Sequence, residues 1–135
     1  MASPDDIESA LNAQLLSLGF TNVGWENKGF DDPTTSWIRP TFLPGFPTGR
    51  ELGNGPASER YVGIYQVDVF APLDGGDGVA RTIASQVLAG FAKGTVLTYA
   101  GTPVGIARSY RMPGGRDPEA PYYKIPVRIE YYASI

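Results

Sequence analysis

The chain has 135 residues with no cysteine and no histidine, which excludes disulfide scaffolds, thiolate or imidazole metal ligands, and Ser-His-Asp or Cys-His catalysis. Its net charge of −3 provides no overall basic field that would attract nucleic acid. The 17 glycines and 12 prolines predict long turns between short elements.

An amphipathic helix is predicted close to the N-terminus. Ser3 is placed to cap it, and Pro4 suits the first helical position, where no N–H partner is needed. Gly19 is placed to end the helix in a left-handed conformation. The apolar stripe of this helix recurs at helical spacing in Ile7, Leu11, Leu15 and Leu18.

A strand over residues 37–43 and a long Gly/Pro loop over about 44–59 follow. Pro40 lies within the strand and cannot donate to a sheet ladder, which predicts an edge strand or a bulge. A loop of this length is uncommon in a compact domain unless it is functional or disordered. Phe46 and Leu52 are its two large apolar residues.

A second strand, over residues 60–70, and a second helix, over 78–93, form the middle of the chain. Gln66 and Asp68 mark the polar face of this strand, so the core face is predicted to carry Tyr61, Gly63, Tyr65, Val67 and Val69. Asp77 is placed to cap the helix and Gly94 to stop it. The apolar stripe of the helix consists of Ala80, Ile83, Ala84, Val87, Leu88 and Phe91.

Three further strands are predicted at residues 95–99, 104–112 and 122–133. The order α-β-β-α-β-β-β places strands in runs, which predicts an α+β fold with a mostly antiparallel sheet. Two amphipathic helices are expected to cover one face of that sheet. Residues 1–135 are expected to form a single domain, since this length is typical of one domain.

Motifs for catalysis and for ligands are weak in this sequence. The Gly75-Gly76-Asp77-Gly78 segment lacks the lysine and the spacing of a phosphate loop. The acidic pairs would form a two-carboxylate site only if loops brought them into one cleft. Tyrosines near arginines in the last strands suit base stacking or a subunit interface, but ordinary strand packing is the favoured interpretation for most of them.

Charge is divided unevenly along the chain. Residues 1–77 hold 11 acidic and 4 basic side chains, whereas residues 78–135 hold 3 acidic and 7 basic ones. Such a division suits a subunit with two oppositely charged surfaces that packs against copies of itself. The acidic first residues lack the basic region of a signal peptide, which predicts a cytoplasmic product with no membrane association.

The sequence resembles the tail terminator, or tail completion, proteins of long-tailed bacteriophages over nearly its whole length. The resemblance rests on the N-terminal amphipathic helix, the long Gly/Pro loop and several short segments. These segments are Trp25-Glu26-Asn27, residues 37–42, residues 63–72 with Gly76 and Gly78, and Phe91-Ala92-Lys93-Gly94.

The resemblance implies a structural virion protein and not an enzyme, with no cofactor and no metal. Such proteins form a ring, typically a hexamer, on the head-proximal end of the tail tube. The ring ends tube polymerisation and offers a docking surface to the head–tail connector or stopper protein, while DNA passes its lumen without specific binding. The expected location is the virion tail, with the host cytoplasm as the place of assembly.

The interface of such a ring is predicted from the charges and from the long loop. Acids are expected to face bases across the subunit seam, and the loop is expected to be mobile until assembly. The predicted contacts with a neighbour or the tube are Phe46, Glu51, Leu52, Glu59, Arg108, Arg111 and Arg116. The alternatives are a head–tail adaptor or other neck ring protein, a small hydrolase and a single-stranded nucleic-acid-binding domain.

Overall fold

Two helices and five long strands, with two short strands beside them, build the protein in the computed structural model. It describes residues 4–20, 23–25, 36–44, 47–49, 59–72, 78–116 and 122–134. The helices are α1 (Pro4–Ser17) and α2 (Gly78–Gly90). The strands are β1 (Trp37–Leu43), β2 (Pro47–Gly49), β3 (Glu59–Pro72), β4 (Val96–Tyr99), β5 (Thr102–Arg111), β6 (Gly115–Arg116) and β7 (Tyr122–Ser134).

The strands form one antiparallel sheet in the order β1-β3-β7-β5-β4, which confirms the predicted α+β class. The long strands β3 and β7 pair along their whole lengths at its centre. β1 lies at an edge, as Pro40 predicted, and stays in regular register with β3. An edge strand tolerates this proline because it has a ladder partner on one side only.

The core lies between the helices and one face of the sheet, as predicted. Tyr65 donates a hydrogen bond of 2.6 Å to Asn12 of α1, and Gln14 donates one of 2.7 Å to the Gly90 carbonyl of α2. The helix residues buried in this core are Ile7, Ala10, Leu11, Leu15, Ala80, Ala84, Val87 and Phe91. The sheet residues that they meet include Tyr65, Val67, Val69, Ile106, Ile125, Val127, Ile129 and Tyr131.

The ends of both helices agree with the sequence where they are described. Gly19 and Gly94 each have a φ of 89°, a left-handed conformation that favours glycine. The proposed caps Ser3 and Asp77 lie outside the described residues. Ile83, predicted in the core, is only partly buried, because the most buried line of α2 runs through Ala80, Ala84 and Val87.

Two short strands lie where the sequence predicted only loops. Pro47–Gly49 pairs with the first residues of β3, and Gly115–Arg116 pairs with the first half of β7. These segments are 3 and 2 residues long, so the partner strand and not their own composition holds them extended. The rest of the predicted 44–59 loop, apart from Pro44 and Glu59, lies outside the described residues.

Among the described helices, none is long and apolar enough to cross a membrane.

Candidate assembly surfaces

The face of the sheet opposite the helices, here called the helix-free face, carries a line of charged and polar side chains across three strands. Arg39 of β1 stands opposite Asp68 of β3, and Gln66 of β3 stands opposite Arg128 of β7. Paired residues in a ladder project to the same side, so these side chains lie on one surface. The sequence placed Gln66 and Asp68 on this face correctly.

Asp68 is the centre of this line and is only 3% exposed. Its Oδ2 lies 3.4 Å from Nη2 of Arg39 and 3.9 Å from Nζ of Lys124. Gln66 donates a hydrogen bond of 2.9 Å to Oδ1, and Arg128 donates one of 3.1 Å to the Gln66 side chain. The buried carboxylate is therefore matched by cations and an amide, which ties β1, β3 and β7 together.

Three aromatic rings form a second small core beside Asp68. Trp37 stacks on Phe70 with ring centroids 4.2 Å apart, and Tyr122 meets both rings edge-on. The Arg39 guanidinium lies 5.1 Å and the Lys124 ammonium 5.9 Å from the Phe70 centroid. Arg39 and Lys124 therefore each make two favourable interactions, one with the Asp68 carboxylate and one with the face of the Phe70 ring.

Removal of the Asp68 carboxylate should destabilise the fold moderately. Asp68→Ala is expected to cost about 1–3 kcal/mol, because Gln66 loses its acceptor while Arg39 and Lys124 can still reach water. Urea unfolding monitored by circular dichroism measures this cost. Asp68→Asn is the control, since its amide oxygen can still accept from Gln66 and should recover part of the loss. An alanine variant as stable as the parent would contradict the role given to Asp68.

Arg108, one of the predicted seam cations, is paired within its own subunit. Its Nε lies 2.6 Å from Oε2 of Glu130 on β7, and its guanidinium lies 5.1 Å from the Tyr110 ring centroid. The hydrogen bond that Arg108 donates to Glu130 and the attraction of the Glu130 charge raise the pKa of Arg108 above its ordinary value. A charge reversal at Arg108 would therefore place two negative charges side by side within the subunit, whatever its effect on a neighbouring subunit.

Exposed apolar side chains lie at the other end of the helix-free face. Leu43, Val62 and Val96 are each more than two-fifths exposed and belong to β1, β3 and β4. The sheet register aligns Val62 and Val96 in one row through Tyr132, which lies over Gly105, and Leu43 stands beside this row. Gly105 leaves room for the Tyr132 ring, because a Cβ atom there would force the end of that side chain to shift.

A groove on the helix side of the sheet separates α2 from the end of β5. One part of about 700 Å³ is lined by Gly78, Arg81, Thr82, Ser85, Gln86, Ala89 and Arg111. An adjoining part of about 400 Å³ is lined by Arg81, Arg111, Met112, Pro113, Gly114, Tyr123 and Ile125. Two arginines line both parts, and no acidic residue occurs among these described lining residues. The groove was not predicted, although Arg81 on the polar side of the predicted helix was a signal for it.

The predicted interface residues do not come together in one described surface. Arg111 stands opposite Val127 of the core face, whereas Arg108 stands opposite Glu130 of the helix-free face. The backbone of Glu59 in β3 pairs with Gly49, and that of Arg116 in β6 pairs with Tyr123. The side chains of Glu59 and Arg116 lie outside the described part of the structure. Phe46, Glu51 and Leu52 lie outside the described residues, so the predicted loop contacts stay predictions.

Within the residues that the structure describes, no group of three acidic, histidine or cysteine side chains is arranged to hold a metal ion. The charged side chains of Asp68 and Arg108 have partners within the subunit, whereas Arg81 and Arg111 line the groove. Their arrangement suits contacts between proteins.

Comparison with known proteins gives a match over most of the chain. The model of a family described as phage tail terminator protein matches residues 6–131. One solved structure, of a protein whose name states no function, superposes with a TM-score of 0.75 at 20% identity. That match covers 98% of this chain and 96% of the other, and at this identity it shows a shared fold. No curated protein matches the sequence.

Proposed function

The chain belongs to the phage tail terminator family, and we propose that it closes the head-proximal end of the tail tube as a hexameric ring. It is a structural protein of the phage tail. The ring would stop tube polymerisation and present a docking surface to the head–tail connector or stopper protein. DNA would pass through its lumen without specific binding.

The family match over residues 6–131 is the observation that carries this proposal. The unlike exposed surfaces of the subunit, namely the helix-free face and the groove beside α2, support it, since a ring needs different surfaces that meet head to tail between neighbouring copies. A ring subunit acts by binding, so it needs no reactive group. Assembly is proposed to take place in the host cytoplasm before the tail joins the head.

Purified protein is expected to form rings that limit the length of tail tubes. Sedimentation velocity and negative-stain electron microscopy should show a concentration-dependent ring. Added to polymerising tail tube protein in small molar amounts, the rings should shorten the tubes and lie at one end of each. A monomer at every concentration that leaves tube length unchanged would contradict the proposal.

The same experiment tests the main alternative. A head–tail adaptor would also form a ring, but it would bind the head connector and leave the length of free tubes unchanged. An equal amount of an unrelated protein of the same mass is the control for crowding in the tube reaction.

A further inference from the structure

We infer that the groove between α2 and the end of β5 receives the first turn of α1 from a neighbouring copy of this chain. Arg111 and Arg81 of one copy would attract the carboxylate of Asp5 of the next. This inference rests on the ring of the proposed function and names the contact that joins its subunits.

Arg111 is the cation best placed for such a contact. Its side chain is exposed, lines both parts of the groove, and makes no hydrogen bond or ion pair with another described residue. Arg81 lines both parts beside it. Small polar side chains of α2, namely those of Thr82, Ser85 and Gln86, line the groove next to the two arginines. An open groove that carries two arginines and a row of small polar side chains suits an acidic segment of a protein.

The first turn of α1 is the acidic segment that this chain offers. It contains Asp5 and Asp6. The Asp6 side chain accepts a long hydrogen bond of 3.4 Å from Thr102, so this turn lies beside the first residue of β5. Asp5 is exposed and has no such contact with another described residue. One carboxylate therefore holds the turn in place while the other faces outward.

The two surfaces cannot meet within one subunit. Thr102 begins β5 and Arg111 ends it, so the acidic turn and the groove lie about 30 Å apart at the usual rise per strand residue. At that distance, which is several Debye lengths, attraction inside one subunit is screened. Between two copies arranged head to tail, the same charges can touch. Such a contact repeats from copy to copy and generates a ring when the rotation closes.

Two charge reversals test the contact in sizing experiments on the full chain. Arg111→Asp should raise the concentration for half-assembly about tenfold or more at low salt, because attraction becomes repulsion. Asp5→Arg should have a similar effect. Lys93→Asp is the matched control, since Lys93 is an exposed cation outside the groove lining and its reversal should leave assembly unchanged. Circular dichroism melting checks that each variant is folded.

A mixture of the two variants gives the decisive result. Arg111→Asp places a carboxylate in the groove beside Arg81, and Asp5→Arg places a guanidinium on the turn beside Asp6. In alternating copies residue 111 and residue 5 therefore carry opposite charges at every seam. We expect an equimolar mixture to assemble at low salt where neither variant assembles alone. If the mixture remains disassembled, or if each variant assembles like the parent, the seam is elsewhere. If the parent protein still forms rings in either case, only the proposed seam is wrong and the proposed function stands. If the parent never forms rings, both the seam and the proposed function are overturned.

A nucleic-acid backbone is the competing occupant of a groove with two arginines. In that case Arg111→Asp would abolish binding of a short DNA duplex while ring formation stayed like that of the parent. This outcome would also overturn the inference, because it separates the groove from the seam.

Discussion

Leu11→Asp is expected to unfold the protein, whereas Leu16→Asp on the same helix is expected to leave it folded. Leu11 is completely buried in the core between α1 and the sheet, but Leu16 is 57% exposed. A carboxylate without a partner in an apolar core costs several kcal/mol, a large part of a typical total stability of about 5–15 kcal/mol. Far-UV circular dichroism and urea unfolding of both variants measure the difference.

The alanine variants at the same two positions provide a graded form of this test. Leu11→Ala should lower the free energy of unfolding by about 2–5 kcal/mol, because it leaves a cavity. Leu16→Ala should change it by no more than about 0.5 kcal/mol, since the side chain is mostly in water. Equal losses at both positions would mean that α1 packs through a different stripe.

Trp37→Ala is expected to lower the free energy of unfolding by about 3–5 kcal/mol, the usual cost of removing a large buried aromatic side chain. Trp37 is buried on the helix-free face, where it stacks on Phe70 and contacts Tyr122 edge-on. Its loss would also open the side of the cluster that holds Arg39 over Phe70. Urea unfolding at low protein concentration measures the change independently of assembly.

Trp37→Phe is the matched control for this prediction. A phenylalanine ring can still stack on Phe70, so Trp37→Phe should keep more than half of the unfolding free energy that Trp37→Ala loses. If Trp37→Ala unfolded at the same urea concentration as the parent, the aromatic cluster would not contribute to the fold.

Periodicity predicted both helices and the two central strands, because burial requires a repeat of 3.6 in a helix and of 2 in a strand. Strand-forming residues between turn signals predicted β1, β4 and β5. Leu11 and Val87 were identified as core residues by spacing alone, and both are fully buried. Pro40 predicted an edge strand or a bulge because proline lacks an amide hydrogen, and the structure has the edge strand. These properties are local, so the sequence carries them directly.

Pairing between distant segments decided the remaining features. The short strands β2 and β6 exist because β3 and β7 extend beyond their other neighbours and offer free ladder positions to them. Asp68 reads in sequence as a solvent-facing residue, yet it is buried because Arg39 and Lys124 come from strands far away in the chain. A single sequence does not display such partners.

The candidate interface shows most clearly where local reasoning ends. Alternation from the buried Ile106 would place Arg108 on the core face, but the register of β5 shifts between these two residues. This irregularity turns Arg108 to Glu130 on the helix-free face and turns Arg111 toward α2. The sequence alone determined that cations gather in the last strands. Only the tertiary structure decided which of them is neutralised inside the subunit and which is left for a partner, because a one-residue shift in a sheet reverses the side of every residue that follows it.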